Sequence, residues 1–290
     1  MKAPAFSYVK PATLAQCLAL LAEHGETAQI VAGGQSLMPM LNLRMAAPSM
    51  LIDINGLTDL TGISSTGATV RIGALERHNR IGGSEIVKRD LPLLAAAVPH
   101  IAHVAIRSRG TIGGSLALAD PAAEWPACCL ALGAEIELAS LNGSRRVAAA
   151  DFFQGLYTTA RASDELVTAV HLPVAPADAW HVFDELARRR GDFAIAGLAL
   201  MGRRTNASLA DVRIAFFGVA DRPVLATRAM EVLEGHAPEP GVIAAAVKAL
   251  RIELDPPDDP AYPAGYRRQI AGVLLERALK SLSSDSQHAA

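Results

Sequence analysis

The sequence predicts a chain of two domains with mixed α and β structure, and three observations carry that prediction. Strand-like and helix-like apolar patterns interleave over residues 13–172, as they do in α/β and α+β ligand-binding domains. From residue 180 the order changes, with three strand patterns in succession and helical patterns closing the chain. At 290 residues, 51% hydrophobic and 19% charged, the chain also has the material for two buried cores. The change falls between residues 173 and 180, a stretch that holds Pro173 and Pro176.

In chain order, Thr13 is placed to cap a helix carrying Leu14, Leu18 and Leu21, which stops at His24-Gly25. Ile30-Val31-Ala32 reads as a short buried strand, and a new helix starts after Ser36, with Pro39 tolerated only in its first turn. Residues 50–54 form a second strand, ended by the Asn55-Gly56 turn signal, and residues 69–72 a third. Residues 91–103 read as one mostly buried helix, residues 126–132 as a short one, 134–139 as a strand ended by Asn142-Gly143, and 165–172 as another strand. The second half opens with strands at 180–188, 194–202 and 212–218. The first two are parted by an Arg190-Gly191-Asp192 turn, and the second leaves through the polar residues 203–206. Helices at 227–234, 243–250 and 266–282 back them, and 283–290 reads as a frayed tail.

Composition removes several classes of function. A formal net charge of −2 gives no electrostatic case for nucleic acid or anionic lipid. Met1-Lys2-Ala3-Pro4 leads into Phe6, Ser7 and Tyr8 rather than an apolar segment, so no signal peptide is expected. The longest apolar stretch is broken by Pro92, Pro99, His100 and His103, so no membrane span is expected. Cys17, Cys128 and Cys129 have no CxxC or Cys/His spacing, which reads as reduced thiols in a cytoplasmic core. Three thiols are also too few for an iron–sulfur cluster held by this chain alone. His24, His78, His100, His103, His171, His181 and His236 show neither metal spacing nor a nucleophile partner, and no GxSxG motif occurs.

Two stretches are not explained by packing. Val31-Ala-Gly-Gly-Gln-Ser-Leu37 and Arg109-Gly-Thr-Ile-Gly-Gly-Ser115 each combine paired glycines with hydroxyl side chains. Glycine admits close approach of the backbone and positive φ, and successive N–H groups then form a nest for an anion. Both loops are expected to act as such nests, gripping one diphosphate from two sides with few basic side chains. Neither matches GxGxxG or a P-loop. Arg107 and Arg109 are near enough in sequence to assist, or are solvated loop ends. Glu124 reads as an acid favoured at a helix N-terminus, since Pro126 opens a helix nearby.

These residues also carry a family resemblance. Ala32-Gly-Gly-Gln-Ser-Leu-Met-Pro39 and Ile106-Arg-Ser-Arg-Gly-Thr-Ile-Gly-Gly-Ser115 resemble the medium, FAD-binding subunits of the molybdenum hydroxylases, which include aerobic carbon monoxide dehydrogenase and the xanthine dehydrogenases. Residues 119–127, 164–168, 189–194 and 217–220 continue the match in order, and the whole is most similar to the carbon monoxide dehydrogenase type. The resemblance implies an α+β fold. Residues 1–176 would be a vanillyl-alcohol-oxidase-like (PCMH-type) FAD-binding domain of two α/β subdomains. Residues 177–290 would be a smaller carbon monoxide dehydrogenase flavoprotein-like domain with a three-stranded antiparallel sheet and helices.

It further implies non-covalent FAD held by Ala32, Gly33, Gly34, Gln35, Ser36 and Leu37, by Thr111, Ile112, Gly113, Gly114 and Ser115, and by Glu124, Val167, Asp192 and Phe193, with no catalytic side chain and no metal ligand in this chain. Molybdenum cofactor and [2Fe–2S] clusters would belong to a large and a small partner subunit, in a dimer of heterotrimers. The location would be cytoplasmic or peripheral to the inner face of the membrane. Electrons would pass from the clusters through FAD to a quinone, oxygen or NAD. Departures from the family pattern are Leu118 in place of His, Phe193 in place of a Tyr found in some members, and Glu185 and Ala187 in place of Lys. A stand-alone FAD oxidoreductase of the same fold, or a scaffold that has lost FAD, are the readings left open.

Overall fold

A computed structural model describes residues 2–285. The first elements are β1 (Ser7–Val9), α1 (Leu14–His24), β2 (Ala28–Val31), α2 (Leu37–Asn42) and β3 (Met50–Asp53), and the strands form a parallel sheet in the order β1-β3-β2. Thr13 caps α1 by accepting from the Gln16 N–H at 3.2 Å. Gly25 ends it with φ −53°, so no left-handed turn is needed; a Cβ there would meet the Ser163 carbonyl oxygen at 2.3 Å, and close backbone approach is what requires glycine.

Next come β4 (Ile63–Ser65), β5 (Thr69–Gly73), α3 (His78–Gly83), α4 (Glu85–Asp90), α5 (Pro92–Ala97), α6 (Val104–Arg107), α7 (Ile112–Leu118) and α8 (Glu124–Leu132). After these follow β6 (Glu135–Ser140), β7 (Gly143–Ala148), α9 (Ala149–Phe152), β8 (Phe153–Gly155), β9 (Thr158–Thr159) and β10 (Leu166–Pro173). The larger sheet is antiparallel throughout, ordered β4-β5-β10-β6-β7. Central β10 is buried along its length up to Pro173, as a near-continuous apolar run should be. A small parallel sheet beside an antiparallel one makes the fold α+β. The single helix expected over 91–103 is instead the shorter α5, which ends at Ala97 and gives way to a turn before α6. Pro99 has no N–H to continue the ladder, and Ala102 adopts φ 41°. The strands β1 and β4, three residues each, carry too little pattern to be read from sequence.

The second half consists of β11 (Ala179–Ala187), β12 (Ala194–Thr205), β13 (Ser208–Phe217), β14 (Val224–Leu225), α10 (Thr227–Leu233), α11 (Pro240–Glu253) and α12 (Ala264–Asp285). The three expected strands pair antiparallel, and β14 adds a two-residue edge to make four. Residues 203–205 are the end of β12 rather than an exit from it, turning at Asn206 with φ 59°. Of the expected tail, α12 takes residues 283–285 and the remainder lies outside the described residues.

The sheet of β11–β14 is covered on one face by α10–α12, around Leu198, Phe216, Leu250 and Leu275. Its other face joins the core of the first half, where Phe217 and Ala199 belong to one cluster with Trp125, Leu94 and Ile72. Gly197 is required at this face: it lies opposite Phe217 in register, and a Cβ would come within 2.0 Å of that ring. No helix among the described residues is long and apolar enough to cross a membrane.

Candidate cofactor site

The first glycine loop leaves the carboxyl end of β2, the edge where parallel strands present ligand sites. Gly34 has φ 69°, the left-handed region that glycine enters freely. The Gln35 side chain donates to Gly33 O at 3.0 Å and tightens the turn. The amide N–H groups of Gly33, Gly34, Gln35, Ser36 and Leu37 donate to no acceptor among the described residues. Ser36 leads α2 without a side-chain cap bond, so its exposed hydroxyl is uncommitted. Five consecutive uncommitted donors and a hydroxyl in a half-buried turn are the makings of an anion nest.

The second loop is built differently, which corrects the expectation of two equivalent nests. Its amides are engaged within the protein: Gly110 donates to Ile106 O, Ile112 to Glu76 O, Gly113 to Ala74 O, and Ser115 to Thr111 O. Gly114 donates to the Thr111 hydroxyl at 3.1 Å, the N-cap bond of α7. Among Gly110 to Ser115 only the Thr111 N–H is without an acceptor among the described residues. Two of the loop's glycines serve packing instead. A Cβ at Gly113 would lie 2.4 Å from the Ala74 Cβ, and one at Gly110 would lie 2.6 Å from His78 Nε2. Gly114 is exposed, with only Thr111 Oγ1 and Ala32 Cβ near its missing Cβ, and the Ser115 hydroxyl beside it is uncommitted.

The two loops meet. A Cβ at Gly33 would stand 2.4 Å from Arg109 O and 2.8 Å from Gly110 Cα. Side chains not singled out in the sequence tie them together. Asn55 Nδ2 donates to Ala32 O at 2.8 Å, Arg77 Nη2 donates to Asn55 Oδ1 at 2.7 Å, and Arg77 Nη1 donates to Arg109 O. In the sequence Asn55 stands out only as half of the Asn55-Gly56 turn signal. The sequence clue was Asp53-Ile54-Asn55, two polar side chains two positions apart where β3 leaves the sheet.

The remaining candidates spread toward the second half. Val167 is buried on β10, where pairing with β6 is irregular between Val167 and Ala169, and the Thr168 carbonyl accepts from Ala74 N, itself the residue beneath Gly113. Asp192 and Phe193 follow β11 in a turn, Asp192 donating through its N–H to Arg189 O, and Phe193 is 72% exposed. Gly191 at φ 85° rests on His103 and brings that turn to the segment before α6, while no hydrogen bond carries it to the first loop. Arg107 donates to Ile101 O and Ala102 O and is committed to its own loop.

Glu124 opens α8 but is buried. Desolvation, with the charges of Glu185 and Asp120 adding to it, pushes its carboxyl up to about 8. The Glu185 side chain is buried as well, 3.5 Å from His100 Nδ1, and its Oε2 has no hydrogen-bond partner among the described residues. His78 accepts from Trp125 Nε1 at 2.9 Å, and burial lowers its pKa to about 4, keeping it neutral. Burial holds the thiols protonated, Cys17 raised to about 11 and Cys129 to about 12. Among the described residues no group of three His, Cys, Asp or Glu is placed to hold a metal ion.

The fit to FAD is therefore uneven. An amide nest suits a diphosphate, and the face of Gly114 admits close approach.

Comparison with known proteins adds the chemical context. Residues 4–175 match the family pattern described as the FAD binding domain in molybdopterin dehydrogenase, and residues 181–282 match the carbon monoxide dehydrogenase flavoprotein C-terminal domain. The chain is 39% identical over 280 residues to the 6-hydroxypseudooxynicotine dehydrogenase complex subunit alpha of Paenarthrobacter nicotinovorans, covering 96% of this chain and 95% of that one. It is 37% identical over 275 residues to the carbon monoxide dehydrogenase medium chain of Afipia carboxidovorans, covering 95% and 96%. Among solved structures, it superposes with a TM-score of 0.94 and 38% identity on carbon monoxide dehydrogenase from Hydrogenophaga pseudoflava lacking the Mo-pyranopterin moiety, over 97% of this chain and 98% of that one.

Proposed function

Because the chain belongs to the FAD-binding medium subunits of the molybdopterin dehydrogenases, we propose that its two glycine loops form the diphosphate site of FAD. The observation that carries the reading is the run of five uncommitted amides from Gly33 to Leu37. These would hold the diphosphate together with the Ser36 hydroxyl, next to Ala32 and Gln35. The second loop would close on it through Thr111, the open face of Gly114 and the Ser115 hydroxyl, with Ile112 and Gly113 anchoring that loop in the core. Val167, Asp192 and Phe193 are assigned to the flavin end and Glu124 to a contact with FAD, all of them within the two matched stretches.

When bound, FAD supplies the electron-transfer chemistry, and the protein supplies orientation, exclusion of water and a fixed set of donors. No side chain here is assigned as a general acid or base on the complex's substrate. Residues 1–176 are taken as the FAD-binding domain and 177–290 as the flavoprotein C-terminal domain, which the two matched stretches support. The relatives named as medium chains point to a small [2Fe–2S] subunit and a large molybdopterin subunit as partners, and we infer a dimer of heterotrimers. A cytoplasmic location, or attachment to the inner face of the membrane only through the complex, goes with that reading.

The purified full chain is expected to be yellow, with a flavin spectrum and no iron. Gly114→Val should lose FAD while keeping the wild-type far-ultraviolet circular dichroism, because a Cβ there fills the approach face and displaces at most the Thr111 hydroxyl, 2.9 Å away, rather than a backbone atom. A colourless wild-type chain that gains no absorbance on incubation with FAD would refute the reading. Wild-type retention by Gly114→Val would remove that loop from the site.

A further inference from the structure

Two backbone carbonyls, Ala32 O and Arg109 O, belong to the loops that form the grip, and neither accepts a backbone N–H among the described residues. Each is taken by one member of a connected pair, Ala32 O by Asn55 Nδ2 and Arg109 O by Arg77 Nη1, and the pair is joined by Arg77 Nη2 donating to Asn55 Oδ1. The Asn55 amide is itself oriented from behind. Asp53 Oδ1 accepts from Asn55 N at 2.9 Å and from Nδ2 at 2.6 Å, and Asp53 Oδ2 accepts from Tyr8 Oη at 2.5 Å. Residues from the ends of three distant segments therefore converge: the turn after β3, the approach to α3 and the approach to α7.

We propose that Asn55 and Arg77 are positioning residues for FAD, which fix the separation of the two glycine loops and occupy the carbonyl lone pairs of Ala32 and Arg109 beside the diphosphate. The inference rests on the proposed location of that diphosphate. A carbonyl oxygen carries partial negative charge, and next to an anion it weakens binding unless a donor satisfies it. Arg77 does this with charge as well as geometry, through two terminal nitrogens aimed at acceptors on different segments. The single nitrogen of a lysine cannot reproduce that fork. Asn55 needs both halves of its amide, one to accept from Arg77 and one to donate to Ala32, so an aspartate cannot replace it. Both terminal nitrogens of Arg77 are committed within the protein, which makes its action on the cofactor indirect.

The test titrates FAD into the deflavinated full chain, followed by flavin fluorescence, alongside thermal unfolding of the same apo proteins. Asn55→Ala and Arg77→Gln should each weaken FAD binding by roughly tenfold or more, with the apo midpoints close to wild type. The double variant should lose less than the product of the two single losses, because Asn55 reaches the second loop only through Arg77. Arg77→Lys should not restore affinity. Wild-type affinity in both variants, losses that simply multiply, or losses that track a fall in apo midpoint would overturn the proposal while leaving the FAD site standing. A wild-type chain that binds no FAD would overturn both.

Discussion

Glu124 shows two physical effects opposed at one residue. At the first turn of α8 the helix dipole favours its carboxylate, typically by less than about 1 kcal/mol. Burial works the other way and wins, joined by Glu185 and Asp120, so the folded-state pKa is about 8 against an ordinary 4.5. A folded state that binds the proton more tightly than the unfolded chain gains stability from it. That gain is full below about pH 4.5, declines as pH rises, and is lost above about pH 8. The apo chain should therefore unfold at a lower temperature at about pH 9 than at about pH 6, with Glu124 contributing a few kcal/mol to the difference. Glu124→Gln, neutral at every pH, should flatten that slope and be the more stable protein on the alkaline side. Parallel slopes for the two proteins would show that Glu124 is not the group responsible. Sequence alone placed Glu124 at a helix start. The acids facing it, Glu185 from β11 above all, come from a part of the chain that only the fold brings near.

The second glycine loop carries the N-cap of α7. Thr111 is buried, its hydroxyl accepts from Gly114 N, and its neighbours Ile112 and Gly113 hang from the carbonyls of Glu76 and Ala74. Thr111→Ala should cost about 1 kcal/mol of stability, read as a lower urea midpoint, and should raise the FAD dissociation rate, whereas Thr111→Ser should keep both near wild type. Equal behaviour of the alanine and serine variants would deny the cap its role. At this scale the sequence was informative where chemistry is local. Paired glycines with hydroxyls marked both loops, Thr13 marked the start of α1, and the Asn142-Gly143 turn lies where β6 passes into β7. It was silent where the deciding partner is remote. Which loop keeps its amides free depends on whether Ala74 and Glu76 lie beneath it. Asn55 and Arg77 stand 22 positions apart, and only the fold brings their side chains to the 2.7 Å hydrogen bond between them.

A boundary in the sequence near residues 173–180 is not a boundary in the core. Phe217 and Ala199 from the C-terminal sheet pack in one cluster with Trp125 and Leu94, and Phe183 stacks on Phe217 at 5.7 Å. Polar links cross the same seam. Arg213 on β13 donates to Ala131 O at 2.7 Å and Leu130 O at 2.8 Å in the last turn of α8, and Gly218 N donates to Pro121 O at 2.8 Å. Shared burial of this kind makes separation of the halves cost most of the folding energy of each, so they should unfold together. Arg213→Met keeps the apolar length of the side chain but leaves two helix-end carbonyls short of a donor, a loss of about 1–3 kcal/mol. Followed in urea by circular dichroism and by flavin release, wild type should give coincident transitions, and the variant should give coincident transitions at lower urea. Flavin release that runs well ahead of the loss of helix in wild type would mean that the halves part before they unfold. In that case the seam would be a docking contact rather than a shared core.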